Sequence, residues 1–183
     1  MDNKYFKYVN LPFSMEFKQM NFGIKNHVEY PREYMVEFEA WLNTLGLRIG
    51  YSEVFRKRPD YNVADAIHID GHTVDDHVKI NWVVNPGTST MSWWQLKPGV
   101  EHTVTYTALN TPYLSATESN CDLLVREHLV TQPNRPALIN AGQLHGIENL
   151  NTERICYSFM LMYKNTYNKV PWSEAVKIFK DYF

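Results

Sequence analysis

Apolar and polar positions follow two rhythms along this chain, and the change falls at Gly46. Between Pro31 and Gly46, Tyr34, Phe38, Trp41, Leu42 and Leu45 recur at offsets of 0, 4, 7, 8 and 11. That spacing marks one face of a helix opened by a proline and closed by a glycine. Beyond Gly46 the rhythm shortens to β-prone runs separated by turn residues. They predict strands near 47–51, 53–58, 66–70, 77–84, 89–96, 122–130, 136–141 and 153–163, with a further short one at 145–149. Residues 1–30 lack a long period and read as an extended lead-in packed on the body. From Pro171 to Phe183, Ser173 is a candidate N-cap, and Val176, Phe179 and Phe183 give a helical stripe.

A helix, many short strands and a terminal helix predict a mainly β single domain over 1–183, a barrel or jelly roll buttressed by helices on one side. Its parts are a lead-in and supporting helix (1–46), the β core (47–163) and a C-terminal helix (171–183). The segment 97–121, rich in Thr, Ser, Asn and Pro, is long for a connection. It reads either as a functional lid or rim, or as an insertion with a hairpin of its own.

Composition narrows the function classes. The 183 residues suffice for one core, and 14% aromatic content is high enough to suggest a pocket or interface as well. The net charge of −2, without a Lys/Arg block, carries no nucleic-acid signature. No apolar run is long enough to cross a bilayer. Two cysteines, Cys121 and Cys156, and the lack of a charged-then-apolar leader after Met1 lead to the expectation of a reducing, cytoplasmic setting.

The candidate chemistry starts at "AIHIDGH", residues 66–72. His68 and Asp70 are two apart in a β-prone run and so project to one side of a strand. Alone, the pair is more readily a polar edge strand with a turn after it. "RPALINAGQLHGIENLNTERICYSFML" then places His145 just after a strand and a Gly turn, with Arg154 nine residues on in an apolar run. Two imidazoles and a carboxylate on one face of an octahedral ion leave three positions open, which suits non-haem Fe(II) and O2 chemistry. Arg154, directed into a β interior, would be costly unless an incoming carboxylate paired with it. A dicarboxylate whose other end chelates the metal would satisfy both, and 2-oxoglutarate fits that description.

H-x-D near the start of the β core, a distal His and an Arg nine residues beyond it resemble the Fe(II)/2-oxoglutarate-dependent oxygenases with a double-stranded β-helix (jelly-roll, cupin-like) core. The likeness covers about residues 47–163 and includes "HIDG", "INWVVN", "RPALINAGQLHGIEN" and "ERICYSF". It is similar in particular to short, often phage-encoded oxygenase-like proteins acting in a bacterial host. The resemblance implies His68, Asp70 and His145 as the metal triad, Arg154 as the residue binding the C5 carboxylate of 2-oxoglutarate, and Asn81 as a contact to cosubstrate or substrate. Where many relatives have Ser two residues past the Arg, this chain has Cys156, so Ser158 is the candidate substitute. The implied reaction couples oxidative decarboxylation of 2-oxoglutarate, with Fe(II) and O2, to C–H oxidation, hydroxylation by default, of a small-molecule or peptidyl substrate whose identity stays open.

Other readings stand beside these. Arg154 can instead pair with Glu148 or Glu153 at the surface. His72 and His77, with Asp75 and Asp76, are read as a solvated loop; His27, His102 and His128 as structural or surface residues; Cys156 as a small buried side chain. Of Trp93 and Trp94, one is expected to face inward and the other to lie under a helix. "GQLHGIEN" also resembles the second motif of metal cupins, through Gly142, His145 and Asn149, although Asp70 departs from the first. A jelly roll serving only in binding is the third alternative.

Overall fold

The structure, a computed structural model, describes residues 3–59, 67–71, 75–106, 112–148 and 150–183. In chain order its elements are β1 (Phe6–Tyr8), β2 (His27–Glu29), α1 (Val36–Thr44), β3 (Leu47–Lys57), β4 (Ile67–Ile69), β5 (Val78–Val83) and β6 (Thr90–Leu96). They continue with β7 (Thr103–Tyr106), β8 (Pro112–Ala116), β9 (Cys121–Glu127), β10 (Ala137–Asn140), β11 (His145–Glu148), β12 (Arg154–Tyr163) and α2 (Trp172–Ile178). The fold is mainly β. Two six-stranded antiparallel sheets run β1-β10-β5-β12-β3-β2 and β7-β8-β4-β11-β6-β9.

The pairing has an inner symmetry. Leaving aside the lead-in strands and the β7–β8 hairpin, eight strands pair first with last: β3 with β12, β4 with β11, β5 with β10 and β6 with β9. The partners alternate between the two sheets. The expected strands at 47–51 and 53–58 are one, since β3 runs through Ser52 and takes up the irregularity as a register shift opposite Phe159 and Leu161. The lead-in supplies strands to both edges of the first sheet: β1 pairs with β10 and β2 with β3. Within the 97–121 segment, β7 and β8 pair with each other and extend the second sheet alongside β4.

Polar–apolar alternation gives the first sheet two different faces. On one, Val54, Ile80, Trp82, Tyr157, Phe159 and Leu161 form the main core with Phe38, Trp41 and Leu42 of α1 and with Ala175 and Phe179. The helix before Gly46 starts later than its pattern suggests. A 3-10 turn over Arg32–Tyr34 precedes it, and the tighter winding leaves Tyr34 exposed and buries Met35 in its place. Gly46, at φ 75, takes the left-handed conformation that ends the helix and turns the chain into β3. The C-terminal stripe also shifts phase: Pro171, not Ser173, is the N-cap, and Ala175 and Phe179 are buried while Phe183 is exposed. Asp76 Oδ1, 3.0 Å away, accepts from the Trp172 amide, the partner that Ser173 does not provide.

Trp93 and Trp94 are both buried, in different clusters. Trp93 packs with Phe6, Met91 and Ile139 between the sheets, its ring stacked on Phe6 at 5.7 Å. Trp94 packs with Ile67, Ile69 and Leu114 on the opposite side, and the helices contribute nothing to that cluster. Among the described residues no helix is long and apolar enough to cross a membrane.

Candidate metal centre

The antiparallel register brings the two histidines together. His68 of β4 lies directly opposite His145 of β11, so their side chains leave the sheet on the same face, with ring centroids 4.7 Å apart. Asp70, two residues on and just past the end of β4, reaches that face as well, with Oδ1 3.4 Å from His68 Nε2 and Oδ2 3.8 Å from His145 Nε2. One donor atom from each of the three side chains lies within 4.8 Å of the others, so the group can hold a metal ion.

The backbone before His145 is fixed by Gly142. A Cβ there would collide with the Asp75 carbonyl oxygen and the His77 amide nitrogen, so only glycine lets the chain pass the 75–77 segment. His77, expected in a solvated loop, is fully buried beneath this crossing, with its Nδ1 2.8 Å from the Asp75 carbonyl. Asp75 pairs with Lys169 and Asp76 caps α2, so this acidic stretch is structural. His72 and Asn149 lie outside the described residues.

Electrostatics prepare the three side chains for a cation. His145 Nδ1 is 2.8 Å from the Gln143 carbonyl, which takes its N–H and leaves Nε2 as a lone pair facing Asp70. Burial, outweighing the nearby Asp70, lowers His145 to about 4, so it is neutral at pH 7. Burial alone would push Asp70 up. The Lys79 ammonium, the hydrogen bond from His68 and the two imidazoles together hold it well below the ordinary carboxylate range.

Lys79 was not foreseen from sequence. It sits in β5 in phase with Asn81, 4% exposed, its Nζ 3.0 Å from Asp70 Oδ2 and 3.5 Å from Glu53 Oε2. It fixes one carboxylate oxygen of Asp70. The signal was present in "VKINWV": a charged residue inside a run otherwise fit for full burial must have a partner.

The triad lines a cavity of about 290 Å3 between the sheets. Arg154, Cys156 and Ser158, alternating along β12, line it with Asn81 of β5, Phe55 and Lys57 of β3, and Asn26 and His27 beside β2. All five sequence-predicted site residues therefore converge on one space. Arg154 is 6% exposed, and the surface pairing open to it is not made: Glu148 bonds Arg126 and Ser92, and Glu153 pairs with Arg56 and Arg58. Among the described residues no carboxylate pairs with Arg154. Asn81 Oδ1 is buried without a hydrogen-bond partner. Burial raises the Cys156 thiol, in keeping with a packing role. His27, read as a structural or surface residue, stacks on Phe55 at the cavity, and Tyr113 of β8 stands edge-on to His68 at 5.9 Å.

No family model matches the chain, and neither a curated protein nor a solved structure matches it.

Proposed function

We propose that the chain is an Fe(II)- and 2-oxoglutarate-dependent oxygenase with a double-stranded β-helix core, acting as a hydroxylase. The observation that carries this reading is the meeting of His68, Asp70 and His145 in a cavity that Arg154 also lines, with no described carboxylate paired to its guanidinium. The eight-strand pairing, first with last and alternating between sheets, supports the jelly-roll part of it.

The donor set fits the metal. Two imidazoles and one carboxylate on one side of an ion leave open positions for a chelating cosubstrate and for O2, the pattern that suits non-haem Fe(II). The cavity fits the cosubstrate, because Arg154 can offer two parallel donors to a carboxylate and no described carboxylate pairs with it. Asn81, with a buried oxygen lacking a donor, needs a polar ligand. Turned about its terminal torsion, the amide presents Nδ2 to a carboxylate instead.

When bound, Fe(II) with 2-oxoglutarate supplies O2 activation through a decarboxylation that yields succinate and CO2. The chain does the rest. His68, Asp70 and His145 hold the ion from one side, and Lys79 keeps the second oxygen of Asp70 occupied so that one oxygen is offered to the metal. Arg154 anchors the cosubstrate at its far carboxylate, while Phe55, Ile139 and Ile147 line the cavity with apolar surface that excludes water. The substrate is a small molecule or a peptidyl side chain.

Anaerobic titration with Fe(II) or Co(II), followed by succinate release from 2-oxoglutarate and binding of the unreactive analogue N-oxalylglycine, tests this. We expect one metal per chain, metal-dependent N-oxalylglycine binding, and loss of metal affinity by about 100-fold or more in Asp70→Ala, beyond the 10- to 100-fold typical of losing a supporting partner. Metal binding without affinity for 2-oxoglutarate or its analogue would redirect the assignment to a metal cupin. No metal binding at all would leave a binding module.

A further inference from the structure

Beside Arg154 the cavity lining holds Arg56, whose guanidinium bonds the Gly23 and Lys25 carbonyls, and Lys57. Lys57, the last residue of β3, lies directly opposite Arg154 on β12, and both line the cavity. Like charges at directly opposed positions of a ladder repel, and in a half-buried site they do so through a weakly screening medium. Lys57 Nζ is 3.5 Å from the Ile147 carbonyl, and Ile147 itself lines the cavity two residues beyond His145. The head group is thus held at the cavity wall that leads to the metal triad.

We propose that Lys57 and Arg154 form a two-cation subsite for the distal carboxylate of the dicarboxylate ligand. This rests on reading the cavity as a 2-oxoglutarate site and adds a determinant of its selectivity. Arg154 supplies a planar fork that fixes the orientation of the carboxylate, and Lys57 a point charge that sets the preference for a second negative charge at that end. Burial and the neighbouring Arg154 push Lys57 down to about 7, a penalty that an anion between the two would relieve.

The test uses the full-length protein loaded with Mn(II), and measures affinity for N-oxalylglycine, succinate, inorganic phosphate and oxalate in the wild type, Lys57→Met, Arg154→Met and the double variant. Oxalate chelates the metal but has nothing to extend to the far end. We expect Lys57→Met to weaken N-oxalylglycine by about 10-fold or more, the scale of one charge-assisted hydrogen bond, and to leave oxalate unchanged. The double variant should lose less than the product of the two single losses, because both side chains grip one carboxylate. If Lys57→Met binds N-oxalylglycine within about twofold of wild type while Arg154→Met does not, Lys57 is no part of the subsite. If oxalate weakens in parallel, the substitution has disturbed the cavity as a whole and the proposal is wrong. Should the wild type bind succinate or phosphate with dependence on Lys57 but ignore N-oxalylglycine, the subsite stands and the oxygenase reading fails. If no anion of the four binds, both fall.

Discussion

The two faces of the first sheet are equally buried and chemically opposite. All six residues of β5 are buried, yet Val78, Ile80 and Trp82 point into the helix-covered core while Lys79 and Asn81 point between the sheets. β12 repeats the pattern, with Tyr157, Phe159 and Leu161 on one side and Arg154, Cys156 and Ser158 on the other. Burial therefore does not separate a core from a site. What separates them is whether the buried atoms are complete without a ligand: apolar groups are satisfied by packing alone, whereas the orphaned amide oxygen of Asn81 is not. One face stabilises the fold, and the other draws on that stability.

The sharpest break of this comparison is a truncation on the apolar face. Phe159 is fully buried, with ring centroids 5.5 Å from Trp82 and 5.6 Å from Phe38. We expect Phe159→Ala to cost about 3–5 kcal/mol in urea unfolding, the usual cost of emptying an aromatic site in a core. Metal affinity, measured where the variant is still folded, should stay within about twofold of wild type. A large loss of metal affinity would mean that the two faces are not independent.

The same asymmetry explains what was legible in the sequence. Period-2 runs located most of the strands, and H-x-D, the distal His and Arg154 were readable because each sits in an apolar context where a polar residue stands out. Lys57 was hidden, since it falls within "FRKR", a basic run that looks like a solvated strand end. His77 was hidden for the opposite reason: two neighbouring aspartates disguised a buried residue as loop. The early helix start at Pro31 failed on local geometry, because a proline and an apolar period do not distinguish a 3-10 turn from the first turn of an α-helix. The β1 and β2 pairings were illegible because strands of three residues have too few alternations to show a period.

A substitution on the polar face should behave in the contrary sense. Arg154→Met keeps a long apolar stem, removes the like charge opposite Lys57, and in the ligand-free protein leaves no described carboxylate without its partner. We expect urea unfolding to give a stability equal to wild type or higher by up to about 1 kcal/mol. A loss above about 2 kcal/mol would show the guanidinium to be a structural member of the fold, and the contrast between the faces would then be one of polarity alone.

The smallest effect is the most specific to the polar face, and it is read in pH. Lys57 is lowered from 10.5 to about 7 in the folded protein, by burial first and by Arg154 second. In the unfolded chain the amine keeps its proton up to about 10.5. Between these limits the unfolded state binds more protons, so stability rises with pH; below about 7 both states are protonated and the penalty is constant. His145, lowered to about 4, acts between there and its unfolded value near 6.5, and Asp70 acts only below its own unfolded value of 3.8, so neither enters this window. Cys121 and Cys156, raised above 9.0 by burial, work against the trend once the unfolded thiols ionise, which confines a clean measurement to pH 7–8. Over that interval we expect ΔG of unfolding in the wild type to climb, at most by about 1.4 kcal/mol per pH unit for one proton, and Lys57→Met to flatten the climb. Equal slopes in the two proteins would place the Lys57 amine in water, and its charge would belong to the surface and not to the polar face.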